Sequence, residues 1–448
     1  MNMKKNRHLS TSQFIFLSFF GMIILGSLLL MLPCSTKGEG GASFLDALFT
    51  ATSATCVTGL VVHDTATYWS EFGQAVILFL IQIGGMGVIT IAVSFAMASG
   101  RKIGLMQRSV MQEAIGAPKL EGIIKLTRFI IKLTIIIEIS GALIMYPVFG
   151  KTAGPIRGIW YAVFHSISAF CNAGFDLMGI KEEYSSLTAF AGNPVINIVI
   201  VMLIIIGGIG FVTWEDIKTH RWHFRRYRMQ SKVILSVTAG LIIVPAVYFY
   251  FGEFSRTQWD NVSTGNKIWM SLFQSVTPRT AGFNTADLSE FTGAGQLIMI
   301  MLMLIGGATG STAGGMKITT VAVLFATAIA VFRRKNQTHL FGRRISDEII
   351  KSAAAIFLLY IFLFLTGGII ISIADGFSII ESLFEAASAI CTVGVTLGIT
   401  SSLGAVSRIV LIILMFFGRV GGLTIIFAAA SGKKINASKL PEEKIMVG

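Results

Sequence analysis

Four copies of one short pattern, spaced through a strongly apolar chain, restrict the fold more than any other feature of this sequence. The copies are anchored on Phe49, Phe164, Phe273 and Phe384, each preceded by Leu or Val and followed four residues later by Ser53, Ser168, Thr277 and Ser388. Each ends on a glycine with an apolar residue after it: Gly59-Leu60, Gly174-Phe175, Gly282-Phe283 and Gly394-Val395. Glycine allows positive φ and lets backbone approach a ligand with no Cβ in the way. Four such glycines at matched positions point to one site assembled from four equivalent pieces of backbone.

Of the 448 residues, 54% are hydrophobic and 13% charged, whereas a soluble domain carries charge on about a quarter. Apolar runs able to cross ~30 Å of hydrocarbon at 1.5 Å per residue recur along the whole length. The expected class is an integral, multi-pass protein of the cell membrane, surrounded by the lipid bilayer and without a soluble catalytic domain. The net charge of +13 could signal nucleic acid, but the Lys and Arg lie in short loops between apolar runs, the positive-inside pattern of cytoplasmic connections. No nucleic-acid partner is expected. Lys4, Lys5 and Arg7 precede a hydrophobic stretch with no A-x-A cleavage site, which reads as a retained first helix starting in the cytoplasm.

Each copy sits between two longer apolar runs. Runs 13–32 and 72–98 flank 44–55; 123–148 and 194–214 flank 156–170; 233–251 and 293–332 flank 267–276; 349–374 and 405–430 flank 379–390. The middle segments are too short to cross and read as re-entrant. The fold class expected is therefore all-α, with eight transmembrane helices and four re-entrant pore helices in four parallel M1-P-M2 repeats around a pseudo-fourfold central pore. The repeats occupy residues 1–98, 123–214, 233–332 and 349–430, joined by linkers 99–122, 215–232 and 333–348 and followed by a tail, 431–448. The linkers carry Arg101, Lys102, Arg108 and Lys119, then Arg221, Arg225, Arg226 and Arg228, then Arg333, Arg334, Arg343 and Arg344, while Asp64, Asp176, Glu183 and Asp287 lie on the opposite side. This asymmetry places the linkers and both termini in the cytoplasm.

Non-helical backbone at membrane depth survives only where it is buried in protein or lines water. The stretches that must meet this condition follow the short segments, and they supply the candidate ion-binding residues: Val57, Thr58 and Gly59; Asn172, Ala173 and Gly174; Thr280, Ala281 and Gly282; Thr392, Val393 and Gly394. Brought around an axis, they would aim carbonyl oxygens at a desolvated monovalent cation, and the negative C-terminal ends of the short helices would add to the attraction. Cys56, Cys171 and Cys391 precede three of the glycines with no His or carboxylate recurring beside them, a pattern of packing thiols rather than a metal site. The histidines do not cluster at ligand spacing. The third copy is one residue shorter and carries Arg279 near the cysteine position; Arg279 is expected to brace this wall from behind. Glu138, inside an apolar run, is expected to need a partner. No nucleophile or acid-base pair converges, so neither an enzyme nor a cofactor of this chain is expected. Gly310 to Thr319 resembles a phosphate-binding loop with one residue inserted before Lys317, but no strand precedes it.

The four-times-repeated unit, Thr392-Val-Gly394 with its likeness to a potassium-channel filter, and Val276-Thr-Pro-Arg-Thr-Ala-Gly-Phe-Asn284 together resemble the Trk/Ktr/HKT superfamily of potassium transporters, nearest its Ktr-type membrane subunits (KtrB and KtrD). The resemblance covers nearly the whole chain. It implies a channel-like potassium-uptake subunit, in a family where several members depend on sodium, with filter glycines at Gly59, Gly174, Gly282 and Gly394. It implies a gating loop at 306–316 that interrupts the second span of the third repeat alone, containing Gly306, Gly307, Gly310, Ser311, Thr312, Gly314 and Gly315. Such a run of Gly, Ala, Ser and Thr is a poor helix in its own right. Lys317 follows it and is placed either at the cytoplasmic interface or in a gating contact. Arg419 is expected beside the loop, holding it or setting an electrostatic barrier, and Gly422 stands where relatives have proline. The resemblance further implies a homodimer on a cytosolic ring of nucleotide-binding regulatory subunits (KtrA or KtrC type), with nucleotide bound only by that partner. The rival reading is an alternating-access secondary cation carrier, which predicts inverted halves and broken helices in paired positions.

Overall fold

The computed structural model describes residues 10–88, 90, 91, 93, 103–116, 119–180 and 182–421. The expectations for Lys4, Lys5, Arg7, Arg101, Lys102, Gly422 and the tail 431–448 lie outside these residues.

Four long helices carry most of the apolar length: α1 (Thr11–Leu30), α5 (Ile123–Ala153), α9 (Met229–Tyr248, continued by a π-helical turn Phe249–Glu253) and α13 (Asp347–Asp375). Each is long and apolar enough to cross a membrane. A capping box starts α1, with the Ser10 hydroxyl accepting from the Gln13 amide and the Gln13 side chain accepting from the Ser10 amide. Leu17, Leu143, Val244, Leu358 and Phe362 are exposed on these helices, the arrangement expected where the surrounding solvent is lipid.

Between them lie four short helices: α2 (Phe44–Cys56), α6 (Pro155–Phe170), α10 (Thr264–Val276) and α14 (Ile379–Ile390). Ser43, Ser263 and Ser378 cap three of them through their side chains, and Pro155 opens α6 where a missing N–H costs nothing. Each packs against the long helix before it. The anchoring residues Phe49, Phe164, Phe273 and Phe384 are at most 1% exposed, so the repeated pattern is the core of the molecule.

The second apolar run of the third repeat is broken where expected, the second repeat's departs from expectation, and those of the first and fourth continue past the described residues. The helices found are α3 (Glu71–Met86), α7 (Pro194–Gly208) with α8 (Phe211–His220), α11 (Gly293–Leu304) with α12 (Ile318–Phe332), and α15 (Ala405–Val420). The interruption assigned to the third repeat alone is corrected here, because α7 turns by 96° into α8. Gly210 at φ 86 and ψ 145 is the cause of the turn; its backbone cannot continue a helix. The carbonyls released by the break are not orphaned. Gly208 O accepts from Ala308 N at 2.9 Å, Gly207 O from Thr312 N at 3.3 Å, and Phe211 N donates to Gly310 O at 2.8 Å. A broken helix in one repeat and a loop in another therefore satisfy each other's backbone. Among the described residues, four helices are long and apolar enough to cross, five counting the bent pair as one span, and the second runs of the second and third repeats are bent or broken.

All three linkers hold regular structure among the described residues. Linker 99–122 holds a short helix, α4 (Leu105–Ile115), and linker 333–348 holds an antiparallel hairpin of β1 (His339–Leu340) and β2 (Arg343–Arg344). In linker 215–232, buried Asp216 accepts from Arg228 N at 2.9 Å and from the Ser231 hydroxyl at 2.7 Å.

Candidate ion path

At the C-terminal end of every short helix the chain makes the same turn. Val57, Asn172, Thr280 and Thr392 adopt left-handed φ of 59, 60, 64 and 51, and two residues later Gly59, Gly174, Gly282 and Gly394 take φ of 96, 69, 84 and 96. Non-glycine residues rarely occupy this region. The turns are held from within, since Thr58 N donates to Ser53 O, Ala173 N to Ser168 O and Val393 N to Ser388 O, each at 2.8 Å, and Ala281 N to Thr277 O at 3.0 Å. The hydroxyls of the same four residues complete the support. Those of Ser53 and Ser388 accept from Gly59 N and Gly394 N at 3.1 and 3.0 Å, while those of Ser168 and Thr277 donate to the carbonyls of Phe175 and Phe283.

The four glycines close on one another in chain order. A Cβ on Gly59 would meet Ala173 O at 2.5 Å and Gly174 Cα at 3.1 Å; one on Gly174 would meet Ala281 O at 2.8 Å and Gly282 Cα at 2.6 Å. On Gly282 it would meet Val393 O at 2.7 Å, and on Gly394 the carbonyl oxygen of Thr58 and Gly59 Cα, the latter at 2.9 Å. The carbonyls of Thr58, Ala173, Ala281 and Val393 thus line a ring that leaves no room for side chains at the glycine positions.

Cavities lie on either side. One of about 190 Å³ is lined by the four glycines together with Asp64, Asp176, Tyr184 and Thr396. Burial pushes the Asp176 carboxyl up to about 7, and neighbouring Asp64 adds to the rise. The other, about 270 Å³, is lined by Gly85, Glu113, Thr309, Lys317 and Arg419. Between this second cavity and the ring runs the loop connecting α11 to α12. Its Thr312 hydroxyl reaches Phe170 O at 3.1 Å and Asn172 Oδ1 at 3.0 Å, and Gly315 N donates to Gly418 O at 3.1 Å. Within the loop, Gly306 N donates to Met316 O at 2.8 Å and Ile318 N to Gly307 O at 3.1 Å. A Cβ on Gly314 would strike the Thr392 side chain, and one on Gly307 or Gly310 would strike Ala313 or Ile115. The Ser311 hydroxyl donates to Ala308 O at 2.7 Å.

Both cations of the region serve the loop. Arg419 donates to Thr312 O and also to the carbonyls of Gly84 and Gly85. Lys317 turns back into the loop, donating to Ala313 O at 2.7 Å and Gly314 O at 3.3 Å, and lines the 270 Å³ cavity. Arg279 is buried at 4% exposure; its guanidinium donates to the Thr238 hydroxyl on α9 at 3.2 Å, tying the third wall to the long helix behind it.

Two features escaped the sequence reading. The residue after each anchoring phenylalanine is polar in all four copies, Thr50, His165, Gln274 and Glu385, and all are at most 1% exposed. His165 Nε2 accepts from Leu177 N at 3.3 Å, and Glu385 accepts from the hydroxyls of Thr396 and Thr400, so these two hold the chain just past the glycines. Polarity at one register of four apolar helices was the available signal. The partner of Glu138 is Gln82 on α3, whose Nε2 lies 3.1 Å from Oε1.

Comparison with known proteins gives a consistent result. The family model described as TrkH, cation transport protein, matches residues 22–437. The potassium/sodium uptake protein NtpJ of Enterococcus hirae is 38% identical over 100% of this chain and 99% of its own length. The Ktr system potassium uptake protein B of Bacillus subtilis is 38% identical over 97% of this chain and 96% of its own. Among solved structures, the potassium transporter TrkH from Vibrio parahaemolyticus superposes with a TM-score of 0.73 at 20% identity, covering 96% of this chain and 87% of that one.

Proposed function

The chain belongs to the TrkH family of cation transport proteins, and we propose that it is the membrane subunit through which a channel-like uptake system conducts potassium. It is a membrane transporter of Ktr/Trk type rather than an enzyme. The observation that carries the mechanism is the closed ring of Gly59, Gly174, Gly282 and Gly394. Potassium sheds its water where the carbonyls of Thr58, Ala173, Ala281 and Val393 replace the hydration shell, and Asp64 and Asp176 gather cations in the adjoining cavity.

The loop centred on 306–316 is the gate. Its backbone is bonded to the ends of α7 and α15 and to Arg419, so ions pass only when it moves. Arg419 and Lys317 lend that position a positive barrier until then. A Cβ on Gly84, Gly207 or Gly418 would strike the carbonyl of Thr55, Phe170 or Ile390 respectively, one residue before each cysteine. The same contact in three repeats supports parallel units around an axis and disfavours a carrier built of inverted halves. Both termini and the basic linkers are assigned to the cytoplasm, where a homodimer meets a ring of nucleotide-binding subunits of KtrA or KtrC type.

Potassium uptake into cells stripped of their own uptake systems tests this reading, with and without sodium and with a regulatory subunit co-expressed. Uptake above the empty-vector control is expected. No uptake from a well-expressed chain in any of these conditions overturns the proposal.

A further inference from the structure

Between α5 and α6 lies a lateral cavity of about 460 Å³. Ile139, Leu143 and Ile159 on its rim are 55%, 67% and 54% exposed, on surfaces that meet hydrocarbon rather than water. The lining is aliphatic or aromatic at every position but one, Glu138. A carboxyl group offers about four acceptor positions. Here both oxygens share a single amide, Gln82 Nε2, at 3.1 and 3.4 Å, and the Cys171 thiol lies 3.9 Å away. Glu138 itself is 8% exposed. A polar group with spare acceptor capacity therefore sits at the end of an apolar groove that opens sideways.

We propose that this groove binds a membrane-partitioning alkyl amine, its amino group on Glu138 and its chain along α5 toward Tyr146. Charge complementarity selects the head group. A plain hydrocarbon would leave Glu138 with unfilled acceptors, a cost that grows with desolvation, whereas an ammonium brings three N–H donors and a charge opposite to the carboxylate's. Length selects the tail, because the stretch of α5 from Glu138 to Tyr146 is about 12 Å at 1.5 Å per residue. The site communicates with the ion path at short range: Cys171 is the last residue before the turn of the second wall, and the Ser166 hydroxyl of α6 donates to Glu138 O at 2.6 Å. An amine that competes with Gln82 for the carboxyl loosens what stands behind Asn172, Ala173 and Gly174, so bound amine reduces potassium flux. That last step rests on the filter reading; binding does not.

The test uses the full chain in phosphatidylcholine nanodiscs and two photoreactive probes, decylamine and decanol, each carrying a diazirine in the alkyl chain. Amine labelling is expected to concentrate on residues 135–146 and 159–167. Glu138→Gln should weaken amine labelling about tenfold, the loss of one charge-assisted hydrogen bond, and leave decanol labelling in place. Ala142→Trp, which fills the groove and keeps the carboxyl, should remove both. Amine labelling spread evenly over other lipid-facing helices such as α13, or indifferent to Ala142→Trp, means that bulk lipid alone occupies the groove and overturns the proposal. Inhibition of uptake by decylamine that vanishes in Ala142→Trp supports the link to the ion path. Site-specific labelling without inhibition sinks that link and leaves the binding site standing.

Discussion

The Arg419 guanidinium donates to the carbonyl of Thr312, joining the last described helix to the middle of a loop more than a hundred residues earlier. The same side chain reaches Gly84 O and Gly85 O on α3. One cation thus binds carbonyls of two separate segments, sharing Gly84 O with the Gly87 amide at 3.2 Å, and it holds the loop across the proposed path.

Replacing Arg419 with alanine should release the loop. If the lost contacts shift its equilibrium by about 1.4 kcal/mol, the displaced population rises about tenfold. Potassium influx at saturating concentration is expected to rise and to respond less to the regulatory subunit. Arg419→Lys should fall between, since an ammonium keeps the charge without the planar fork. Flux equal to that of the parent in both variants would remove Arg419 from gating.

Gly394→Ser tests the ring. The new Cβ would run into the carbonyl oxygen of Thr58 and would sit on backbone at φ 96, a strain of about 1–3 kcal/mol. Potassium over sodium discrimination, measured by competition for uptake, should fall about tenfold if one coordinating carbonyl is turned away at a cost near 1.4 kcal/mol. Retained discrimination in a well-expressed protein would make the glycines simple turn formers.

Glu385→Ala should leave the Thr396 hydroxyl without its carboxylate acceptor and the Thr400 hydroxyl with only Thr396 Oγ1, at 3.0 Å. The expected cost is about 1–3 kcal/mol, read as a lower Tm together with weaker ion discrimination. Glu385→Gln, which keeps one acceptor oxygen, should recover most of both. A fall in Tm with discrimination unchanged would restrict Glu385 to folding.

Asp176 predicts a pH dependence whose sign follows from its raised value. The folded carboxyl titrates near 7 against 3.8 for the free group, so its stabilising contribution is full below the lower value and is lost as pH rises through the higher one. Thermal stability should therefore decline across that window, while apparent potassium affinity improves as deprotonation adds charge beside Asp64. Asp176→Asn should flatten both curves, and an unaltered affinity profile would exclude Asp176 from cation capture.

Much of this was legible without coordinates. Hydropathy marked the long helices, and the repeated Phe, Ser and Gly positions marked the four turns, because both signals are carried by residues close together in the chain. The break at Gly210 was not legible. Gly207-Gly208-Ile209-Gly210 lies in a run as apolar as any span, and the break at Gly210 is sustained at membrane depth because Ala308, Thr312 and Gly310 of another repeat take up the freed backbone groups. The partner of Glu138 and the roles of His165 and Glu385 were hidden for the same reason, since each depends on a contact outside its own helix.

The sequence by itself determined the class of the protein, the residues at the four turns and the segment too poor in helix formers to span. Only the tertiary structure decided the order in which the glycines meet, the support of the loop by Arg419 and by a second broken helix, and the direction of Arg279 toward Thr238. Periodicity and hydropathy are properties of neighbouring residues, whereas a buried carbonyl or charge is satisfied by whatever the packing brings to it, and at the Gly210 break, at Glu138 and at Thr312 that partner comes from a different repeat.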